Sequence, residues 1–197
     1  MALLTLRLDC RRPVGRRQSR SGLVALALIV WAQVLNGQPT ATRSPEQAIE
    51  AEVKAVFLYN FAKYVDWPAA SQGSSATIRM CVTAHPQFFA VLREAVRDEI
   101  INGRPLAAIA LDGLDGARDC DILYVGESAT PDAAAWINAV RGRQVLTVGD
   151  GPLVDGLVIA FVRDQNRVRF DISRQAAGKQ SLAISSRLLG LARRVEP

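Results

Sequence analysis

Few side chains in this sequence are equipped for chemistry, and they lie far apart. His85 is its only histidine. Paired with an acid such as Glu127 or Asp150, it could move protons, and His, Glu and Asp together can ligate a metal. No local spacing supports either role, and a single histidine makes a weak ligand set, so neither a metal nor a cofactor is expected. Ser185-Ser186 has no G-x-S-x-G context and no second histidine to serve it. Gly149-Asp150-Gly151 and Asp155-Gly156 lack the Lys and Ser/Thr of a phosphate loop and read as turns. No catalytic constellation is assembled, and the chain reads as a binding protein rather than an enzyme. His85, Glu127, Ser128 and Asp150 nonetheless all stand at or just beyond the end of an apolar run of strand character. Open parallel sheets collect ligands outside the carboxyl ends of their strands, so these four residues could line a crevice. For His85 the competing expectation is a solvated loop position ahead of Pro86. Asn60 falls on the apolar stripe of a helix, where it is either a specificity contact for a partner or a buried hydrogen bond to a neighbouring loop.

The elements that would position these residues follow from periodicity. Ser44-Pro45-Glu46-Gln47 is a helix start, with Ser as N-cap and Pro in the first turn. The helix is predicted to run to about Val65, burying Ile49, Val53, Val56, Phe57, Phe61 and Tyr64, with Lys54 and Lys63 pointing elsewhere. Trp67-Pro68 ends it, and residues 71–75 form a loop. Residues 77–82 alternate like a half-buried strand. Pro86 opens a second helix, with Phe88, Phe89, Leu92 and Val96 inward, closing near Asn102-Gly103. Strands are predicted at 106–111, 121–126 and 144–148, with a helix from Pro131 carrying Ala135, Trp136 and Val140. Residues 157–162 and 168–172 read as an antiparallel hairpin around Asp164-Gln165-Asn166. Its exposed edge suits strand addition or dimer pairing, while Arg163, Arg167 and Arg169 would discourage both. A last helix is expected over 182–195, with Ile184, Leu188, Leu191 and Val195 on one stripe. The order predicts an α/β sandwich: a mostly parallel central sheet, an antiparallel C-terminal hairpin, and helices on both faces.

Charge separates the chain into two parts. Lys plus Arg number 24 and Asp plus Glu 19 among 197 residues. The first 22 residues hold Arg7, Arg11, Arg12, Arg16, Arg17 and Arg20 against Asp9 alone, so 18 of each sign remain beyond them. A neutral domain without clustered Lys and Arg argues against a nucleic-acid partner. The basic segment is followed by an apolar run, Leu23 to Leu35, and then by Asn36-Gly37-Gln38-Pro39. That run is shorter than the roughly 18–20 residues that span a bilayer, and it fits an export signal over residues 1–37, with an uncleaved anchor as the alternative. Residues 38–45 read as a linker and 46–197 as one domain. Export leaves Cys81 and Cys120 once Cys10 is removed. They form either one disulfide, the economical pairing in an oxidising compartment, or two buried free thiols.

Three segments together resemble a known family. Lys54-Ala55-Val56-Phe57-Leu58-Tyr59-Asn60-Phe61-Ala62-Lys63-Tyr64-Val65-Asp66-Trp67-Pro68 is the most specific. Asp119-Cys120-Asp121-Ile122-Leu123-Tyr124-Val125 is the second. Val168-Arg169-Phe170-Asp171-Ile172, continuing through Ile184-Ser185-Ser186-Arg187-Leu188-Leu189, is the third. The sequence is similar to the YfiR-like periplasmic proteins over about residues 46 to 195. The resemblance implies a periplasmic regulator that binds the periplasmic sensor domain of an inner-membrane diguanylate cyclase and keeps cyclic di-GMP low. It further implies an outer-membrane lipoprotein that relieves repression, and a homodimer. Cys81 and Cys120 sit where a bridge of the family sits, whereas its second bridge has no counterpart, because no cysteine follows Cys120. The alternative expectation is a small-ligand sensing module coupled to a histidine kinase or another membrane receptor.

Overall fold

The computed structural model describes residues 44–67, 77–83, 85–127 and 132–197. The export signal, linker residues 38–43, the loop at 71–75, Ser128 and Pro131 lie outside the described residues.

Helix α1 (Pro45–Tyr64) starts at the expected capping box: the Ser44 hydroxyl accepts from the Gln47 N–H, and the Gln47 side chain accepts from the Ser44 N–H. Its buried face differs from the expected one. Ala51, Ala55, Leu58, Phe61 and Ala62 are buried, while Ile49 and Val56 are 61% and 55% exposed. Apolar residues are spread around the helix between its charged ones, and its alanines let it approach the sheet more closely than larger side chains would. The expectation that Lys54 points away from the structure is likewise wrong: its side chain is 12% exposed and ion-paired.

Beyond α1 come β1 (Val65–Asp66), β2 (Ile78–Thr83), α2 (Pro86–Ala95), β3 (Ile100–Ile101), β4 (Arg104–Leu111), a 3₁₀ turn (Leu114–Asp119), β5 (Ile122–Val125), α3 (Ala133–Ala139) and β6 (Leu146–Asp150). Then follow β7 (Ile159–Asp164), β8 (Arg167–Ser173), α4 (Arg174–Lys179), β9 (Ala183–Ile184), α5 (Ser186–Leu191) and β10 (Arg194–Glu196). The main sheet runs β10-β8-β7-β6-β5-β2-β4-β3. Strands β7, β6, β5, β2 and β4 are parallel, and β8 returns antiparallel on β7. The mostly parallel sheet and its C-terminal hairpin are as predicted.

Alternation splits the core in two. Ile122 and Tyr124 of β5 face α1 and α2 with Met80, Phe88 and Phe161. Leu123 and Val125 face the other way, with Trp136 and Val140 and with Cys81 and Cys120. Cys81 and Cys120 form a disulfide, with Cα atoms 6.0 Å apart. It ties β2 to the residue that caps the 3₁₀ turn.

Several elements depart from expectation. Helix α2 stops at Ala95 rather than near Asn102-Gly103: the backbone turns left-handed at Asp98 (φ 61°), and Asn102 and Gly103, at 52° and 78°, form the two-residue turn of a β3–β4 hairpin. Helix α4 was not anticipated; the Ser173 hydroxyl caps it at the Ala176 N–H. The last helix begins only where the Ser185 hydroxyl accepts from Leu188 N–H and ends by Leu191, leaving Leu191 and Val195 exposed. The chain then runs along the sheet, where Arg193 grips Asp171 through two hydrogen bonds and β10 pairs parallel with β8. β10 covers only the Asp171–Ser173 end of the hairpin edge expected for strand addition, and the register leaves Arg167–Phe170 without a partner in β10. Among the described residues no helix is long and apolar enough to cross a membrane.

Candidate functional site

From β2 the chain passes to β4 on one side and then to β5 on the other. The ends of β2 and β5 therefore flank a topological switch point, where an open α/β sheet leaves a crevice. A cleft of about 640 Å³ opens there, beneath the N-terminal half of α1. His85, Glu127 and Asp150 all line it, as do Glu50, Lys54, Tyr124 and Arg163. Ser128 lies outside the described residues.

Each side chain has a local reason for its place. His85 is the N-cap of α2, and its Nδ1 accepts the Phe88 N–H at 3.1 Å, which puts the proton of the neutral ring on Nε2. Gly126 makes room for that ring: a Cβ there would meet His85 Cδ2 at 3.1 Å. Asp150 ends β6, and its Oδ2 accepts the Tyr124 hydroxyl at 2.5 Å. Lys54 descends from α1 and places Nζ 2.7 Å from Asp150 Oδ1 and 2.7 Å from Glu50 Oε1. The second oxygen of Glu50 takes Arg163 Nε at 3.1 Å and Nη2 at 2.5 Å. The outcome is a relay of alternating charge, Tyr124–Asp150–Lys54–Glu50–Arg163, that staples α1 across β5, β6 and β7. Below it lies a floor of rings, with Phe88 centred 4.5 Å from Tyr124 and Phe161 6.3 Å from Tyr124.

The electrostatics follow from that geometry. Burial opposes ionisation of Glu50, but hydrogen bonds from Lys54 and Arg163 outweigh it and hold its carboxyl below the ordinary glutamate range. Burial likewise disfavours the Lys54 ammonium, and Asp150 with Glu50 overcomes this, raising its pKa above the ordinary lysine value. Burial, and then the Asp150 carboxylate, push Tyr124 upward, so it remains a phenol that donates. Glu50, Lys54 and Tyr124 are thereby held in their usual charge states and paired within the relay. Such a set holds shape and recognises charge.

Lys54, Glu50, Tyr124 and Arg163 were missed by sequence reasoning. Glu50 and Lys54 stand at i, i+4, a spacing that signals a pair. Asn60, expected to face either a partner or a loop, turns its Nδ2 back to the Val56 carbonyl of its own helix at 3.0 Å. Among the described residues no group of His, Cys, Asp and Glu could hold a metal.

A mostly parallel open sheet with a charged cleft at its switch point defines an α/β domain of the crevice-bearing kind. A crystal structure of a conserved domain protein from Vibrio cholerae O1 biovar El Tor shares this fold, with a TM-score of 0.50 at 10% identity. The alignment covers 74% of this chain and 60% of that one, so the chain spans less than two thirds of the Vibrio protein. No curated protein matches. The chain belongs to the YfiR/HmsC-like family, whose pattern matches residues 51–193. That is a family of periplasmic regulatory proteins acting on diguanylate cyclases.

Proposed function

We propose that this protein is an exported, non-catalytic repressor that binds the periplasmic sensor domain of an inner-membrane diguanylate cyclase. The observation that carries the proposal is the family match, which spans nearly the whole described domain. By binding the inactive conformation of the sensor more tightly than the active one, the repressor shifts the population toward inactivity. An outer-membrane lipoprotein competing for the same surface would release it, and self-association is a second competitor. Ile49, Val53 and Val56 support the reading. They leave an apolar stripe on the outer face of α1, beside a shallow groove also lined by Glu52 and Phe57, and a protein partner would remove that stripe from water. Deleting the gene should raise cellular cyclic di-GMP, and unchanged levels would overturn the cyclase reading. Val56→Asp, an exposed substitution, should raise cyclic di-GMP as deletion does while leaving the protein folded.

The cleft favours a second reading, a small-ligand sensing module coupled to a histidine kinase or another membrane receptor. Its volume lies within the 300–1,000 Å³ common for small-molecule sites, and it occupies the position where such sheets bind ligands.

A further inference from the structure

On one side the main sheet ends in β4 and the short β3, and β3 covers β4 only in part. Its residues pair with Arg104 and Pro105, and the Leu106 N–H donates to the Glu99 carbonyl. Beyond Leu106, β4 has no outer partner among the described residues. Alternation fixes which main-chain groups this leaves free. The Leu106 N–H faces outward, so the N–H and C=O of Ala108 and Ala110 face outward too, while those of Ala107, Ile109 and Leu111 face β2. Proteins guard such edges with charge, proline or brevity. The open stretch of β8 carries Arg167 and Arg169, and β10 is three residues long with Arg194 and Glu196. Leu106-Ala107-Ala108-Ile109-Ala110-Leu111 carries no charge at all. Two large apolar side chains flank it, Ile100 at 63% and Leu114 at 42% exposure.

We propose that this edge pairs with the same edge of a second copy, antiparallel about a two-fold axis at Ile109, so that two sheets become one. In that register Ala108 of each copy stands opposite Ala110 of the other. Opposed residues whose main chains face each other exchange both hydrogen bonds, so every free N–H and C=O of Ala108 and Ala110 finds a partner. Ile109 meets its own image as a close cross-strand pair, on the face that carries the Cys81–Cys120 bridge. The ends of the strand permit this register and refuse its neighbours. An axis at Ala108 would drive Ala110 of the second copy into the place beside Leu106 that Glu99 occupies. An axis at Ala110 would set Ala108 against the bend at 112–113. The two-fold also carries Leu114 of each copy towards Ile100 of the other, which removes apolar surface from water. No charge on the strand opposes its own image. The proposal gives a place to the self-association invoked above and is independent of the cyclase reading.

Sedimentation velocity of the purified protein over a wide concentration range should show a monomer–dimer equilibrium. Hydrogen exchange should slow at the Ala108 and Ala110 amides as the dimer fills. Ala110→Pro removes an outward N–H from each copy and leaves the bonds to β2 in place. It should weaken the dimer at least about tenfold. The wild-type unfolding midpoint should be kept where the parent is monomeric, since Ala110 is exposed. Ala110→Lys keeps the N–H but sets an unmatched charge on the edge; it should weaken the dimer as well, and is the variant to read if proline lowers the midpoint. A protein that stays monomeric at every concentration overturns the proposal. So does a dimer that neither variant weakens, or one in which the two amides exchange as fast as in the monomer. None of these outcomes bears on cyclic di-GMP after gene deletion, which tests the cyclase reading alone.

Discussion

Asp150 is the residue on which the cleft turns, because it is buried and holds both the Tyr124 hydroxyl and the Lys54 ammonium. Asp150→Ala leaves a largely buried ammonium with one carboxylate where it had two, and should destabilise the fold by about 3 kcal/mol in urea unfolding. Asp155→Ala, which breaks only the exposed pairs with Arg141 and Lys179, should leave the midpoint where it is. The same network sets the pH limits. Glu50 ionises below its ordinary range when folded. Its contribution is therefore present above about pH 4.3 and is lost as pH falls through the folded value. Lys54 and Tyr124 are raised, so their contributions hold below about pH 10 and fade as pH rises beyond it. Unfolding midpoints followed across pH should show a plateau between these limits, and Glu50→Gln should flatten the acid side and also weaken the alkaline side, because Glu50 is one of the two carboxylates that raise Lys54. Of these residues, sequence spacing exposed Asp150, His85 and Glu127, because strand ends can be read from apolar runs. Lys54 and Arg163 were hidden because their meaning depends on which way a helix and a strand face across a distance in sequence.

Among the elements, the longer strands and the capping serine Ser44 were legible, since alternation and hydroxyl caps are local signals. The buried face of α1 was not. Ala51, Ala55 and Ala62 carry little apolar weight in a pattern, yet they are what sits against the sheet, while Ile49 and Val56 remain outside. The short β10 was also invisible in the sequence, because its place is fixed by the grip of Arg193 on Asp171 rather than by a strand-like run. Two predictions belong at this scale. The Cys81–Cys120 bridge closes a span of 39 residues, and replacing both cysteines by Ala should cost roughly 3–4 kcal/mol of stability under oxidising conditions. Under reducing conditions the variant and the parent should converge. Gly156 turns the chain ahead of β7 at φ +85°, and a Cβ there would lie 2.6 Å from Ile137 Cγ2. Gly156→Ala combines that clash with left-handed backbone strain of about 1–2 kcal/mol, so its unfolding midpoint should fall well below that of Gly178→Ala, where a Cβ meets nothing.

For the whole molecule, fold class was legible because it depends on the order of elements, and the resemblance anticipated the family. The partner is a matter of surface, which no periodicity encodes. The account holds that this domain works outside the cytoplasm, on the sensor face of a membrane cyclase. The most direct measurement is cyclic di-GMP in a deletion strain complemented by the full chain or by the same chain lacking residues 1–37, both at matched abundance. Repression from the periplasm predicts high cyclic di-GMP in the deletion strain, restored to the parental level by the full chain and left high by the leaderless one. Equal restoration by both chains, or a deletion strain no higher than its parent, would contradict it.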